Sequence, residues 1–319
     1  MKKLSIAMLL LTLVVSLLTS CSPSQKTGSE NSETKDEKLS VYASFYSMYD
    51  FATKIGGDKV DVTNMVPAGT EPHDWEPTAT DITNLEKADV FIYNGAGMEH
   101  WAEDILESLQ NEELMVVEAS KGITLMEGHQ EHEGEEEEGD IEEEKEEHDP
   151  HVWLNPLNVK IEMENIKNTF VEADPINKDY YEANFQKYSA ELDTLDKEFN
   201  DTLSTLSNKD IIVAHQAFGY LCEAYGLNQV AIEGLSADSE PDPARMTEII
   251  EFAKEHSVKV IFFEELVSPK VAETIAKAID AETDVLNPIE GLTDEQKTAG
   301  EDYFSIMRQN LNSLKVALQ

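Results

Sequence analysis

Residues 175–206 read PINKDYYEANFQKYSAELDTLDKEFNDTLSTL. This segment contains no glycine, and its only proline is the first residue. Apolar side chains recur at spacings of three and four residues, the period of one face of an α-helix. They are Tyr181, Phe185, Tyr188, Leu192, Leu195, Phe199 and Leu203. The pattern predicts one long amphipathic helix, and we set its bounds at 174–207.

On both sides of this helix, short β-rich runs alternate with helical patterns. The predicted strands before it are 39–43, 60–66, 90–93 and 115–118, and those after it are 211–214, 229–232, 258–263 and 283–286. Such alternation indicates parallel sheets. We therefore predict an α/β fold of two lobes, 39–173 and 208–319, bridged by one long rigid α-helix. Because a long helix is a poor hinge, the lobes should close less widely than lobes joined by flexible strands.

The first twenty residues indicate export. Lys2 and Lys3 precede an apolar run at 4–18, which is too short for a confident membrane span and ends in Leu-Thr-Ser-Cys. That ending resembles the lipobox of bacterial lipoproteins, in which the cysteine, here Cys21, carries lipid. We expect a signal peptide at 1–20, a polar tether at 21–38 and an extracytoplasmic protein anchored to the membrane. The alternative is an ordinary signal peptide with an incidental cysteine.

Charge and cysteine content narrow the possible partners. The chain has 65 acidic and 24 basic residues, a net charge of −41, which argues against nucleic acid and favours cations. With Cys21 lipidated, Cys222 is the one cysteine left, so the mature protein would have no intramolecular disulfide. The hydrophobic core must then stabilise the fold without a disulfide.

Two segments share one local design, an acid-Pro-His-x-Trp unit closed by a second proline. They are EPHDWEP at 71–77 and DPHVWLNP at 149–156. The proline before each histidine restricts the backbone, and the tryptophan can pack beside the imidazole, so His73 and His151 are presented from stiffened loops. Paired histidines of this kind indicate a metal site.

Further candidate ligands follow predicted strands of the second lobe. His215 lies in IVAHQAFGY at 212–220, and Glu290 lies in LNPIEGL at 286–292. Open α/β sheets bind ligands at the carboxyl ends of their strands, so one cleft could receive all of these loops. Glu264 and Glu265 also end a strand. The residues alone do not choose among these three carboxylates.

An acidic tract at 127–148 contains His129, His132 and His148. A run of like charges is typical of a solvated loop. Its histidines also predict that the loop binds metal. Such binding should be weak, because a flexible segment cannot hold a tight site.

The order of these motifs resembles the zinc- and manganese-binding lipoproteins of bacterial ABC importers. The resemblance rests on the lipobox, GTEPH at 69–73, the tract, DPHVWLNP, AHQAFGY at 214–220 and GLS at 234–236. The tract and the NPIEGL segment resemble the zinc branch. The resemblance implies metal binding by His73, His151, His215 and Glu290, delivery to an ABC permease, and a monomer. Manganese members use two His, a Glu and an Asp, whereas this chain has His at the third ligand motif.

Coordination chemistry supports zinc separately. Three imidazoles and one carboxylate suit tetrahedral zinc, whereas manganese prefers more oxygen; copper and nickel also accept imidazole. The alternatives are a manganese importer component or adhesin, and a zinc hydrolase or lyase. An enzyme would need an open metal position and a nearby acid or base.

Overall fold

A computed structural model describes residues 38–128, 148–235 and 241–319. The predicted signal peptide, Cys21, most of the predicted tether, and His129 and His132 lie outside these residues. Within the described ranges, no helix combines the length and the apolar character that crossing a membrane requires.

The first lobe contains a four-stranded parallel sheet in the order β2-β1-β3-β4. Leu39 of β1 lies opposite Val60 of β2, and Val90 of β3 lies opposite Met115 of β4. The elements are β1 (Leu39–Ala43), α1 (Tyr46–Gly56), β2 (Val60–Asn64), α2 (Ala79–Leu85), β3 (Val90–Tyr93), α3 (Ala102–Ser108) and β4 (Met115–Glu118). Two helices follow, α4 (Pro156–Ala173) and α5 (Lys178–Leu203).

The second lobe repeats this sheet with the order β6-β5-β7-β8, again all parallel. Its elements are β5 (Asp210–Val213), α6 (Gly219–Tyr225), β6 (Asn228–Ala231), α7 (Pro243–Glu255), β7 (Val260–Phe263), α8 (Lys270–Ile279), β8 (Glu282–Val285), α9 (Asp294–Ala299) and α10 (Tyr303–Ala317). The α/β prediction, with two parallel sheets and a long connecting helix, is confirmed. The domain boundaries stay a prediction.

Helix α5 is 26 residues long and follows a short 3₁₀ turn at Pro175–Asn177. The predicted apolar face is the buried face, with Tyr181, Leu192, Leu195, Phe199 and Leu203 fully buried. Burying each of these leucine and phenylalanine side chains contributes about 1.5–3 kcal/mol relative to leaving it exposed. The helix packs against α1, α4 and α10, and one continuous hydrophobic core contains residues of both lobes.

Hydrogen bonds also join the lobes beside the core. The indole of Trp153 donates to the carbonyl oxygen of Pro288 at 2.7 Å, and the hydroxyl of Tyr303 donates to the carbonyl oxygen of Trp153 at 2.8 Å. Trp153 is fully buried. The tryptophan of the second acid-Pro-His motif is therefore a core residue that fixes one lobe against the other.

Candidate metal centre

Four loops bring the predicted ligands together. His73 lies between β2 and α2, and His151 immediately precedes a 3₁₀ turn at Val152–Leu154. His215 follows β5 by two residues, and Glu290 follows β8 by five. In both sheets the strand order reverses beside the first strand of the lobe. His215 thus emerges at the reversal point of the second sheet, where open α/β folds bind ligands.

The donor atoms of the four side chains converge. Nε2 of His151 lies 3.2 Å from Nε2 of His73 and 3.2 Å from Nε2 of His215. Oε1 of Glu290 lies 3.5 Å from Nε2 of His73, 3.2 Å from that of His151 and 3.4 Å from that of His215. All four donors lie within 4.8 Å of one another. The three histidines and Glu290 are hereafter called the His₃–Glu cluster.

These separations match a known coordination geometry. Zinc–ligand bonds of about 2.0–2.1 Å at tetrahedral angles place neighbouring ligand atoms about 3.3–3.4 Å apart. Five of the six donor separations in the cluster fall between 3.2 and 3.5 Å. The cluster therefore has the dimensions of a tetrahedral zinc site.

Outer hydrogen bonds fix the orientation of two of the imidazoles. Nδ1 of His151 donates to Oδ1 of Asp149 at 2.8 Å, and Nδ1 of His215 donates to Oε1 of Glu264 at 2.7 Å. In the neutral ring, each bond leaves Nε2 unprotonated and directed into the cluster, as in carboxylate–histidine–metal arrangements. At His73 the backbone N–H donates to Oε1 of Glu71 at 2.9 Å, which fixes the loop.

The structure distinguishes the three carboxylates that the sequence left open. Glu290 lies in the cluster, and Glu264 lies behind His215. Glu265 points elsewhere and accepts hydrogen bonds from Gln296 at 2.6 Å and from Asn287. The sequence analysis did not predict that Asp149 and Glu264 orient the imidazoles. A carboxylate that accepts a hydrogen bond from a metal-binding histidine is common, so the acid two residues before His151 was a usable signal.

The environment of the Glu290 carboxylate favours a bound cation. Its side chain is 1% exposed, and neither carboxylate oxygen makes a regular hydrogen bond. A buried carboxylate without such partners is costly, because it has lost its water without compensation. A metal ion bound between Glu290 and the imidazoles would supply that compensation.

The cluster shifts the pKa values of its own members. Burial lowers the pKa of His215, but the Glu264 and Glu290 carboxylates outweigh burial and hold it well above 6.5. Burial would lower the pKa of His151 as well, but the hydrogen bond to Asp149 and the nearby Glu290 carboxylate outweigh burial and raise it above 6.5. The pKa of His73 is lowered, mainly by burial. Burial would raise the pKa of Glu290, but the His215 charge and the close imidazoles of His151 and His73 hold it well below 4.5.

Glu71 differs from Glu290 in its ionisation. Burial raises the pKa of Glu71 to about 9, and the charge of Glu290 adds to that shift. One carboxyl group near the metal position is thus neutral and the other charged at neutral pH, as expected for two nearby acids.

The remaining histidines lie away from the cluster. His148 pairs with Glu127 in an antiparallel bridge at the end of the acidic tract. His100 is exposed near Glu76, and His256 donates from Nδ1 to Asp210 at 2.7 Å at the carboxyl end of α7. Among the described residues, the His₃–Glu cluster is the one group of three or more potential ligands that meets this distance limit. Weak metal capture by the tract stays a prediction.

Two α/β lobes with a His₃–Glu cluster between them define a metal-binding protein of the solute-binding class. Residues 41–317 match the family model described as ZnuA, zinc-uptake complex component A, periplasmic. The chain belongs to this family.

Two curated relatives extend the comparison. The high-affinity zinc uptake system protein ZnuA of Bacillus subtilis (strain 168) is 46% identical over 304 residues, which are 95% of this chain and 94% of that protein. The zinc-binding lipoprotein AdcA of Streptococcus pneumoniae (strain ATCC BAA-255 / R6) is 39% identical over 319 residues. That match covers 99% of this chain but 61% of AdcA, so AdcA has further sequence beyond the match.

A solved structure shows the same fold. The Zn(II)-bound ZnuA-like domain of Streptococcus pneumoniae AdcA is similar with a TM-score of 0.75 and 36% identity. The similarity covers 88% of this chain and 99% of that domain.

Proposed function

We propose that this protein captures zinc in the His₃–Glu cluster and delivers it to the membrane permease of an ABC importer. The observation that carries the proposal is the tetrahedral spacing of the four donors, 3.2–3.5 Å for five of their six separations. Zinc is the cargo in this proposal, and His73, His151, His215 and Glu290 are its ligands.

The relatives support zinc as the cargo. The Bacillus subtilis protein is named for high-affinity zinc uptake, and the solved AdcA domain is described as Zn(II)-bound. The ligand chemistry agrees, because three imidazoles outnumber one carboxylate oxygen, whereas manganese favours oxygen-rich sites.

The cluster favours a carrier over a hydrolase or lyase. Catalytic zinc sites have three protein ligands and keep a fourth position for water. Here Oε1 of Glu290 lies 3.2–3.5 Å from all three Nε2 atoms and occupies the fourth corner. A water would have no open position at which zinc could activate it.

We further propose that the protein works outside the cytoplasm, tethered through lipid on Cys21. The Leu-Thr-Ser-Cys ending of the apolar run supports this, and AdcA is named a lipoprotein. Attachment beside the permease would keep the captured metal near its acceptor. Two or more acyl chains give durable anchoring, whereas a single chain does not.

The decisive experiment uses untagged protein comprising residues 39–319. Metal analysis after purification, followed by competition with a calibrated zinc chelator, should give one tight zinc per chain. The matched control is His100→Ala, which removes an exposed histidine outside the cluster. Tight binding that survives in a His151→Ala, His215→Ala double variant would overturn the proposal.

A further inference from the structure

The residue that precedes Glu290 has an unfavourable backbone conformation. Ile289 has a φ of 61°, in the left-handed region. Among the non-glycine residues with positive φ in the described part of the chain, it alone is β-branched. A β-branched side chain is a marked outlier there, so the surrounding structure must impose this conformation.

Two lobes hold the segment in that conformation. From the second lobe, the side-chain oxygen of Asn287 accepts the N–H of Ile289 at 2.7 Å, and Asn310 donates to the carbonyl oxygen of Asn287 at 2.7 Å. From the first lobe, Trp153 donates to the carbonyl oxygen of Pro288 at 2.7 Å, and Ser47 Oγ donates to that of Ile289 at 2.6 Å.

Of these hydrogen bonds, the one from Ser47 reaches the residue immediately before Glu290. Ser47 and Ile289 are both fully buried, so their hydrogen bond does not compete with water. The bonded carbonyl belongs to the peptide whose other end is the nitrogen of Glu290. The hydroxyl of a first-lobe helix therefore fixes the peptide plane from which a second-lobe metal ligand extends.

A cavity borders the same segment. A cavity of about 440 Å³ borders Glu290, Gly291 and Leu292 and is lined on its first-lobe side by Tyr46 and Tyr49, among others. A peptide that loses its bond to Ser47 therefore has space beside it in which to change its orientation, and with it the position of the Glu290 carboxylate.

We propose that Ser47 and Trp153 are positioning residues that hold Glu290 on the metal and so set the rate of zinc release. The inference rests on the proposed function. When either first-lobe hydrogen bond is lost, the Ile289 conformation can relax, and the Glu290 carboxylate can leave the metal before the imidazoles do.

The test is the rate of zinc release into excess chelator, measured by stopped flow on the zinc-loaded protein. Ser47→Ala should release zinc about fivefold faster, which corresponds to about 1 kcal/mol, the usual net value of a hydrogen bond. The matched control is Ser44→Ala, another buried first-lobe serine, whose hydroxyl donates to Glu99 at 2.6 Å. It should keep the wild-type rate. Thermal unfolding of each variant reports whether it folds, and Trp153→Phe provides a second variant that lacks the other donor.

A double-mutant cycle separates positioning from general loosening. In a Glu290→Ala background, Ser47→Ala should change the release rate less than twofold, because no fourth ligand remains to be positioned. A fivefold effect of Ser47→Ala in both backgrounds would overturn the inference. So would unchanged release rates for both Ser47→Ala and Trp153→Phe in the wild-type background. Neither result would contradict zinc capture by the cluster. A wild-type protein that binds no zinc would overturn the proposed function itself, and this inference with it.

Discussion

Glu264 lies directly behind His215, with its Oε1 atom 2.7 Å from Nδ1 of the imidazole, and both side chains are buried. The carboxylate fixes the ring so that Nε2 points into the cluster, and its charge raises the basicity of the ring. The same charge raises the affinity of His215 for protons, which compete with zinc. Glu264 therefore strengthens the binding of both zinc and protons at His215.

Replacing Glu264 with Gln tests this balance. The amide oxygen can still accept from Nδ1, but the charge is lost, so zinc affinity should fall about tenfold near pH 8. The loss should be smaller near pH 6, because the variant His215 also binds protons less tightly. Chelator competition at both pH values gives the two ratios. Equal ratios would show that the charge of Glu264 does not influence proton competition at His215.

The second prediction concerns the three imidazole ligands. His73→Ala, His151→Ala and His215→Ala should each weaken zinc binding more than the roughly 10–100-fold typical of losing an outer partner, because each removes a metal–ligand bond. The measurement is competition titration at one pH, with His256→Ala as the control, since His256 contacts Asp210 outside the cluster. Wild-type affinity in all three variants would contradict the ligand assignment.

The sequence predicted the bounds of several elements correctly because their apolar patterns are clear. Strands β1, β3 and β4 have the predicted bounds, and α5 occupies 26 residues within the predicted 174–207. The helix α4 was not predicted, although Asn155 caps it and Pro156 begins it. Those two residues also close the DPHVWLNP motif, so the same residues end the loop of His151 and begin the helix.

The candidate site was predictable in its histidines but not in its carboxylate. His73, His151 and His215 stand in distinctive local motifs. Glu264 and Glu290 both follow strands at the same end of the second sheet, so the local sequence does not show which of them is the better candidate ligand. What separates them is the path of the loop after β8, which accepts hydrogen bonds from Trp153 and Ser47 of the other lobe. Such a long-range contact has no local signature.

Zinc affinity should also depend on pH. Ligation needs neutral imidazoles, and the pKa values of His215 and His151 are raised above the ordinary 6.5, whereas that of His73 is lowered. Affinity should therefore be greatest above the raised pKa values and fall as pH drops through them, beginning above about pH 6.5. Calorimetry in buffers of different ionisation enthalpy should show proton release on binding at neutral pH. A flat affinity between about pH 7.5 and pH 5 would contradict histidine ligation.

The acidic tract should be dispensable for tight binding. Glu127 and His148 pair in an antiparallel bridge, so a short Gly-Ser linker can replace residues 129–147 without moving the ends apart. The deletion should keep one tight zinc, because all four proposed ligands lie outside it, and should bind less zinc at high concentration because His129 and His132 are gone. A full-length His129→Ala, His132→Ala variant controls for the change in length. Loss of the tight isotherm in the deletion would show that the tract contributes to the primary site.

The last prediction concerns Glu290 itself. In the proposed site its carboxylate completes the tetrahedron and offsets part of the metal charge. Glu290→Ala should therefore admit a water, retain measurable zinc binding through three histidines and release zinc faster. Glu290→Gln provides a comparison, because the amide keeps the shape and an oxygen donor but not the charge. If charge dominates, the two variants should release zinc at similar rates; if geometry dominates, the Gln variant should stay near the wild type. Stopped-flow release into excess chelator distinguishes these results, and wild-type affinity and release in the Ala variant would place the fourth ligand elsewhere.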